Sequence, residues 1–117
     1  MLFRSNVRLR SYFENMGFDV LNVDGDPVAS DAGNQGYNDQ HPDRVVEFAS
    51  SVCSPEADVL FCSCTAWRSM EAAEALEKRT GRPVVTSNQA TVWAAFDRLG
   101  IQPAVSGFGS LLSGLTH

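Results

Sequence analysis

The residues best placed for chemistry are Ser63-Cys64-Thr65, at the end of the apolar run Val59-Leu60-Phe61-Cys62. A helical pattern opens directly after them, at Ala66-Trp67-Arg68. A buried strand that feeds a helix puts Cys64 at the carboxyl end of the strand, beside the first free N–H groups of the helix. A thiolate there is stabilised by the helix dipole and those N–H groups, which lowers its pKa unless burial outweighs the effect. The N–H groups of Thr65 and Ala66 could hold a substrate carboxylate or an oxyanion, and Thr65 adds a hydroxyl. The competing reading is a small apolar residue filling a strand end, because free cysteine is commonly structural. Pattern alone leaves both open.

The other sulfur chemistries fit less well. Cys62 is expected in the sheet core, and Cys53 lies near a helix end as an inert thiol. A metal site is not expected: Cys62-x-Cys64 lacks a second ligand pair, and the only histidines are His41 and His117. A Cys-x-Cys bridge inside a strand would be strained. A cysteine–histidine nucleophile would need His41 or His117 beside Cys64, which neither a long loop nor the last residue favours.

The elements that must position these groups follow a repeated phrase, in which a helical pattern ends in Gly and an extended run follows. The phrase occurs at Asn15-Met16-Gly17-Phe18, Arg79-Thr80-Gly81-Arg82-Pro83 and Arg98-Leu99-Gly100-Ile101-Gln102-Pro103. Gly suits the left-handed residue just past a helix end, and Pro cannot continue the helix. Strands are expected over about Asp19 to Val23, Asp58 to Ser63, Pro83 to Thr86 and Pro103 to Val105. Helices are expected over about Ser5 to Met16, from Pro42 to Cys53, from Ala66 to Arg79, and from Asn88 to Leu99 behind a Ser87 cap. A short helix over Ser110 to Leu115 would close the chain.

Two of these helices carry an apolar stripe at helical spacing. One comprises Ala66, Met70, Ala73 and Leu76, with Glu74 and Lys78 paired on another face. The other comprises Val92, Trp93, Phe96 and Leu99. Both stripes read as core packing.

Alternating strands and helices predict an α/β fold: a three-layer α/β/α domain over residues 1–117, with a parallel four-stranded sheet. Ligands in such sheets bind at the carboxyl ends of the strands. Asp24 to Asp39, Ser63 to Trp67 and Thr86 to Gln89 are expected to converge there. The stretch from Asp24 to His41 is long and irregular, and reads either as a polar binding loop or as a solvated surface loop. Thr86-Ser87-Asn88-Gln89 forms a second strand-to-helix junction, where capping alone accounts for Ser87 and an anion site is a further reading.

Composition narrows the class. The 117 residues are 44% hydrophobic and 20% charged, with a formal net charge of −5. That suits one modest domain and argues against nucleic-acid binding, since the basic cluster of Arg4, Arg8 and Arg10 forms no single stripe. No apolar run is long enough to span a membrane, and the amino terminus lacks the apolar core of a signal peptide. Three cysteines, two of them one residue apart, do not make a disulfide framework and point to a reducing, cytoplasmic setting.

Taken together, these motifs resemble a known group. Ser63-Cys64-Thr65 ahead of a helix is similar to the second cysteine motif of the aspartate/glutamate racemase superfamily. Gly81-Arg82-Pro83-Val84-Val85-Thr86-Ser87-Asn88-Gln89-Ala90, with Trp93-Ala94-Ala95 and Gly100-Ile101, narrows this to the maleate cis–trans isomerase and arylmalonate decarboxylase branch. Gly107-Phe108-Gly109-Ser110-Leu111-Leu112 is similar to that branch's closing Gly-aromatic-Gly segment.

The resemblance implies a cofactor-independent isomerase, racemase or decarboxylase acting on small dicarboxylic acids, with no metal. In that family two α/β halves enclose the site, and each half usually offers a cysteine at a strand end. One attacks or deprotonates the substrate and the other donates or accepts a proton, while decarboxylases keep only the second. By this resemblance Cys64 is the second-half proton donor or acceptor. Thr65 supplies the N–H that holds a carboxylate, and Asn34 is a substrate-binding asparagine.

The chain resembles only the carboxyl-terminal half of the two-domain fold. The first half, with its cysteine and anion loop, has no counterpart here, and Met1 stands where the family has an active-site tyrosine. Phe108, Leu111 and Leu112 are then left without an evident packing partner. The implied assembly is a homo-oligomer, or a partner chain that supplies the missing half. The alternative is a non-catalytic α/β domain with an interaction surface over Leu111 and Leu112.

Overall fold

A computed structural model of the chain describes residues 2–26, 38–63, 65–102 and 104–114. Its elements, in chain order, are α1 (Leu2–Asn15), α2 (Pro42–Val52), β1 (Leu60–Cys62), α3 (Ser69–Thr80), β2 (Val84–Thr86) and α4 (Ser87–Arg98). β1 and β2 pair in parallel with Leu60 opposite Val84 and Cys62 opposite Thr86. α3 is the crossover between them, as parallel strands require.

The core lies on one face of this small sheet. Leu60, Cys62 and Val84 meet Val45 and Ala49 of α2, Ala72, Ala73 and Leu76 of α3, and Trp67. Ala73, Leu76, Val84 and Val45 are fully buried. Phe61 alternates to the opposite face, where its ring lies 5.1 Å from Phe13 of α1. Val46, Phe48 and Cys53 border the cluster.

Local sequence accounts for the helix ends. His41 caps α2, its Nδ1 accepting from the Asp43 N–H at 3.2 Å, and Pro42 takes the first helical turn. Gly17, Gly81 and Gly100 all adopt positive φ just past a helix, as the repeated phrase predicts. Glu74 and Lys78 form the expected pair, Nζ to Oε1 at 3.7 Å.

The four-stranded expectation is met only in part. Among the described residues two strands pair, β1 and β2. Residues 18–26 run without a ladder. Side chains tie that stretch instead: Arg10 Nη1 donates to the Val20 carbonyl at 2.8 Å, and Asn22 Nδ2 to the Val52 carbonyl at 3.1 Å. Of the expected strand at 103–105, Pro103 lies outside the described residues and Ala104 and Val105 are not in a strand. Ser110 to Gly114 form turns rather than a helix.

Two further differences have clear causes. Thr86, not Ser87, caps α4, because Thr86-Ser87-Asn88-Gln89 is a T-x-x-Q capping box whose two reciprocal bonds both form. The stripe on α4 is also not core: Trp93 is 39% exposed and Leu99 71%, and Gln89 is the one buried residue of that helix. Conversely, Leu112 is fully buried, so the closing segment finds its packing within this chain and Leu112 is no interaction surface. The Val105 N–H donates to the Leu112 carbonyl at 2.6 Å, folding that segment on itself.

Candidate functional site

The parallel register brings the two strand-to-helix junctions side by side. β1 ends at Cys62 and β2 at its partner Thr86, so the residues that follow emerge at one sheet edge. Asn88 Nδ2 donates to the Thr65 carbonyl at 3.1 Å and joins the two junctions directly. A cleft of about 240 Å³ opens there, lined by Asn38, Thr65, Ala66, Trp67, Arg68, Met70, Glu71, Asn88 and Phe108. The three segments expected to converge at the strand ends each contribute to it.

Of the expected site residues, the structure places Thr65 in this cleft, exposed and on a turn. Cys64 and Asn34 lie outside the described residues, as does His117. Cys64 is flanked in sequence by Ser63 and Thr65, both exposed.

One part of the sequence argument changes. α3 begins at Ser69 rather than Ala66, and Thr65 to Arg68 form a turn. Within this turn Trp67 is buried, its ring against Phe48 with 6.1 Å between centroids. The N–H groups of Thr65 and Ala66 therefore belong to a turn. They remain donors, but without the aligned peptide dipoles of a helix behind them.

The other thiols sit where the sequence puts them. Cys62 is buried in the core, and burial, with a smaller effect from Cys53, pushes its pKa up to about 12. It is held as the neutral thiol at ordinary pH. Cys53 is half-buried at the C-cap of α2, its Sγ 3.7 Å from the Ser54 carbonyl. His41 is a solvent-exposed cap, and no histidine lines the cleft among the described residues.

Charge in the cleft is already balanced. Arg68 donates two hydrogen bonds of 2.8 Å to the Glu71 carboxylate. Those bonds hold the Glu71 pKa below its ordinary value and raise that of Arg68. Among the described residues no group of three or more His, Cys, Asp and Glu gathers as a metal site, and no helix is long and apolar enough to cross a membrane.

The sequence places the Thr86–Gln89 junction at the strand ends, but not the bond by which Asn88 joins it to Thr65. Arg68 was not among the expected site residues, and Phe108 was singled out only as part of the closing Gly-aromatic-Gly segment, because only the fold-back of that segment brings it to the cleft.

Comparison with known proteins matches this architecture. The arylmalonate decarboxylase family matches over residues 3–112. A maleate isomerase of Pseudomonas putida strain KT2440 is 41% identical over 56 residues, covering 48% of this chain and 22% of that protein. A cysteine-to-alanine variant of maleate isomerase from Pseudomonas putida S16, crystallised with maleate, superposes with a TM-score of 0.63 at 28% identity, covering 70% of this chain and 33% of that one. A crystal structure of arylmalonate decarboxylase gives 0.56 at 29% identity, covering 64% of this chain and 36% of that one. The chain thus spans about a third or less of the length of these relatives. With the match running through nearly every element described above, this α/β chain belongs to the arylmalonate decarboxylase family.

Proposed function

We propose that this chain is the cysteine-bearing half of a cofactor-independent isomerase or decarboxylase that acts on small dicarboxylic acids. Cys64 donates or accepts the proton at the reacting carbon. The Thr65 N–H and hydroxyl hold one substrate carboxylate, and Asn34 makes a second contact. Removal of a proton or of carbon dioxide beside a carboxylate leaves an enediolate, whose charge needs N–H donors fixed in advance. The observation that carries this reading is the Thr65–Asn88 junction, where two strand ends of a family member open a cleft next to Cys64 in sequence.

On this reading the 117 residues are one half of a two-domain, three-layer fold. Further strands and the second jaw of the site lie outside these 117 residues, in the rest of a longer chain, another copy or a partner chain. The exposed apolar faces support this: Tyr12, Met16 and Phe18 by α1, and Trp93, Leu99 and Ile101 on and after α4. A reducing, cytoplasmic setting would keep the thiol active. The test supplies the complementary half and follows turnover of maleate and of an arylmalonate. Cys64→Ala should lower the rate by about 10²–10⁴-fold, the usual worth of a positioned acid or base. Full activity in that variant sinks the assignment.

The exposed faces also favour a second reading, a non-catalytic domain that binds through them. Light scattering separates the two: a stable complex with no turnover in any pairing supports the interaction module.

A further inference from the structure

The cleft has one wall that does not come from a strand end. Residues 105–112 fold back on themselves, and Phe108 from this segment lines the cleft beside Thr65 and Asn88. Two buried or half-buried side chains grip the segment on either side of Gly109. Gln89, fully buried, donates from Nε2 to the Phe108 carbonyl while its Oε1 accepts the Thr86 N–H at 2.8 Å. Glu77, on α3, accepts the Ser110 N–H at 3.1 and 3.0 Å and the Ser110 hydroxyl at 2.8 Å. The same carboxylate accepts the Val84 N–H at 3.0 Å, so it links the segment to β2.

Gly109 makes this grip possible. It adopts φ +91°, and a Cβ there would stand 3.1 Å from Gln89 Nε2 and 3.2 Å from Glu77 Oε1. Leu112, fully buried, anchors the far end. The bonds to the Phe108 carbonyl and to Ser110 are no part of the α4 cap or of the β1–β2 pair, which are complete without Phe108. What they do is fix an aromatic ring at the strand ends.

From this geometry we infer that Phe108 is the size-selecting wall of the cleft, and that Glu77 and Gln89 are positioning residues that hold it there; the inference rests on the dicarboxylate reading of the site. Removing the ring enlarges the cleft next to the bound acid, so an aryl-substituted malonate gains over maleate. Loosening the grip has the same effect without touching the ring.

The test is a pair of measurements on the chain together with its complementary half. Maleate and phenylmalonate are titrated and followed by the amide resonances of Thr65 and Asn88, and exchange of the Ser110 amide is timed. Phe108→Ala should shift the affinity ratio about tenfold toward phenylmalonate, the scale of a hydrophobic pocket change, and leave Ser110 exchange as it is. Glu77→Ala and Gly109→Ala should speed Ser110 exchange by about tenfold or more and move the ratio in the same direction. If Glu77→Ala does not fold, Glu77→Gln and Gly109→Ala carry the measurement. A ratio in Phe108→Ala within about twofold of the parent overturns the wall. Faster exchange with an unmoved ratio overturns the positioning role. If neither acid shifts Thr65 or Asn88 in any protein, the selectivity role falls together with the dicarboxylate reading, and Ser110 exchange alone reports whether the grip exists.

Discussion

α3 and α4 are each 12 residues long, each follows a strand end, and each carries an apolar stripe. α3 buries Ser69, Ala72, Ala73 and Leu76, whereas α4 buries only Gln89. Leu76 and Leu99 occupy comparable places late in their stripes, yet one is fully buried and the other 71% exposed. The difference is the partner. α3 packs into the core shared by the sheet and α2, while α4 leaves Trp93 and Leu99 exposed. A stripe shows that a helix has a face to bury; it does not say whether the same chain supplies the surface that buries it.

The sharpest way to break this comparison is to truncate both leucines. Leu76→Ala should destabilise the chain by about 3 kcal/mol in urea denaturation, since it leaves a cavity in the core. Leu99→Ala should cost under about 0.5 kcal/mol, as exposed substitutions do. Equal costs would mean that α4 is packed in solution, and the contrast would fail.

Next in size is the pair that fixes the start of α2. Arg44 Nη2 lies 3.2 Å from the fully buried Asp26 carboxylate and its guanidinium sits 6.0 Å over the Phe48 ring. Arg44→Met should cost about 2 kcal/mol, below the usual cost of breaking a fully buried pair because the arginine is partly solvated. Chemical denaturation of the two proteins side by side reads it directly.

The core side of the comparison also has a pH signature. In the fold Cys62 keeps its proton to about pH 12, whereas an unfolded thiol loses it near 9.0. The unfolded chain then binds fewer protons, so stability is intact below pH 9 and falls as pH rises from there toward 12. The limiting slope is about 1.4 kcal/mol per pH unit for one group. Cys62→Ala should flatten that part of the stability–pH curve, whatever its effect at neutral pH.

A further, modest effect belongs to the firmly held start of α4. Thr86→Ala removes an N-cap bond in the capping box and should cost about 1 kcal/mol. A loss much below that would place α4 outside the cooperative core altogether, sharpening the contrast with α3.

Much of this was legible from residue order. Gly17, Gly81 and Gly100 mark helix ends because only glycine takes positive φ there without strain. The run Leu60 to Cys62, with its alternate burial, is the strand the apolar pattern announces. Ala73 and Leu76 are core as their spacing requires. The cleft at the strand ends followed from strand–helix alternation, and Thr65 lies in it. Ladder formation was less legible, because an extended run becomes a strand only if a neighbour offers its backbone. Residues 18–26 are bound by the side chains of Arg10 and Asn22 instead.

By itself, then, the sequence determined the local grammar of this protein: helix stops, the β1 and β2 strands, the parallel crossover and the place where a ligand would meet the sheet. Those features depend on backbone conformations and periodicities that a few neighbouring residues dictate. Only the tertiary structure decided that Trp67 is buried against Phe48 ahead of α3 and that Glu77 draws the closing segment to the cleft. Only it showed which stripe is buried. Each of these rests on contacts between residues distant in the chain or on competition for a shared packing surface, which no local pattern encodes.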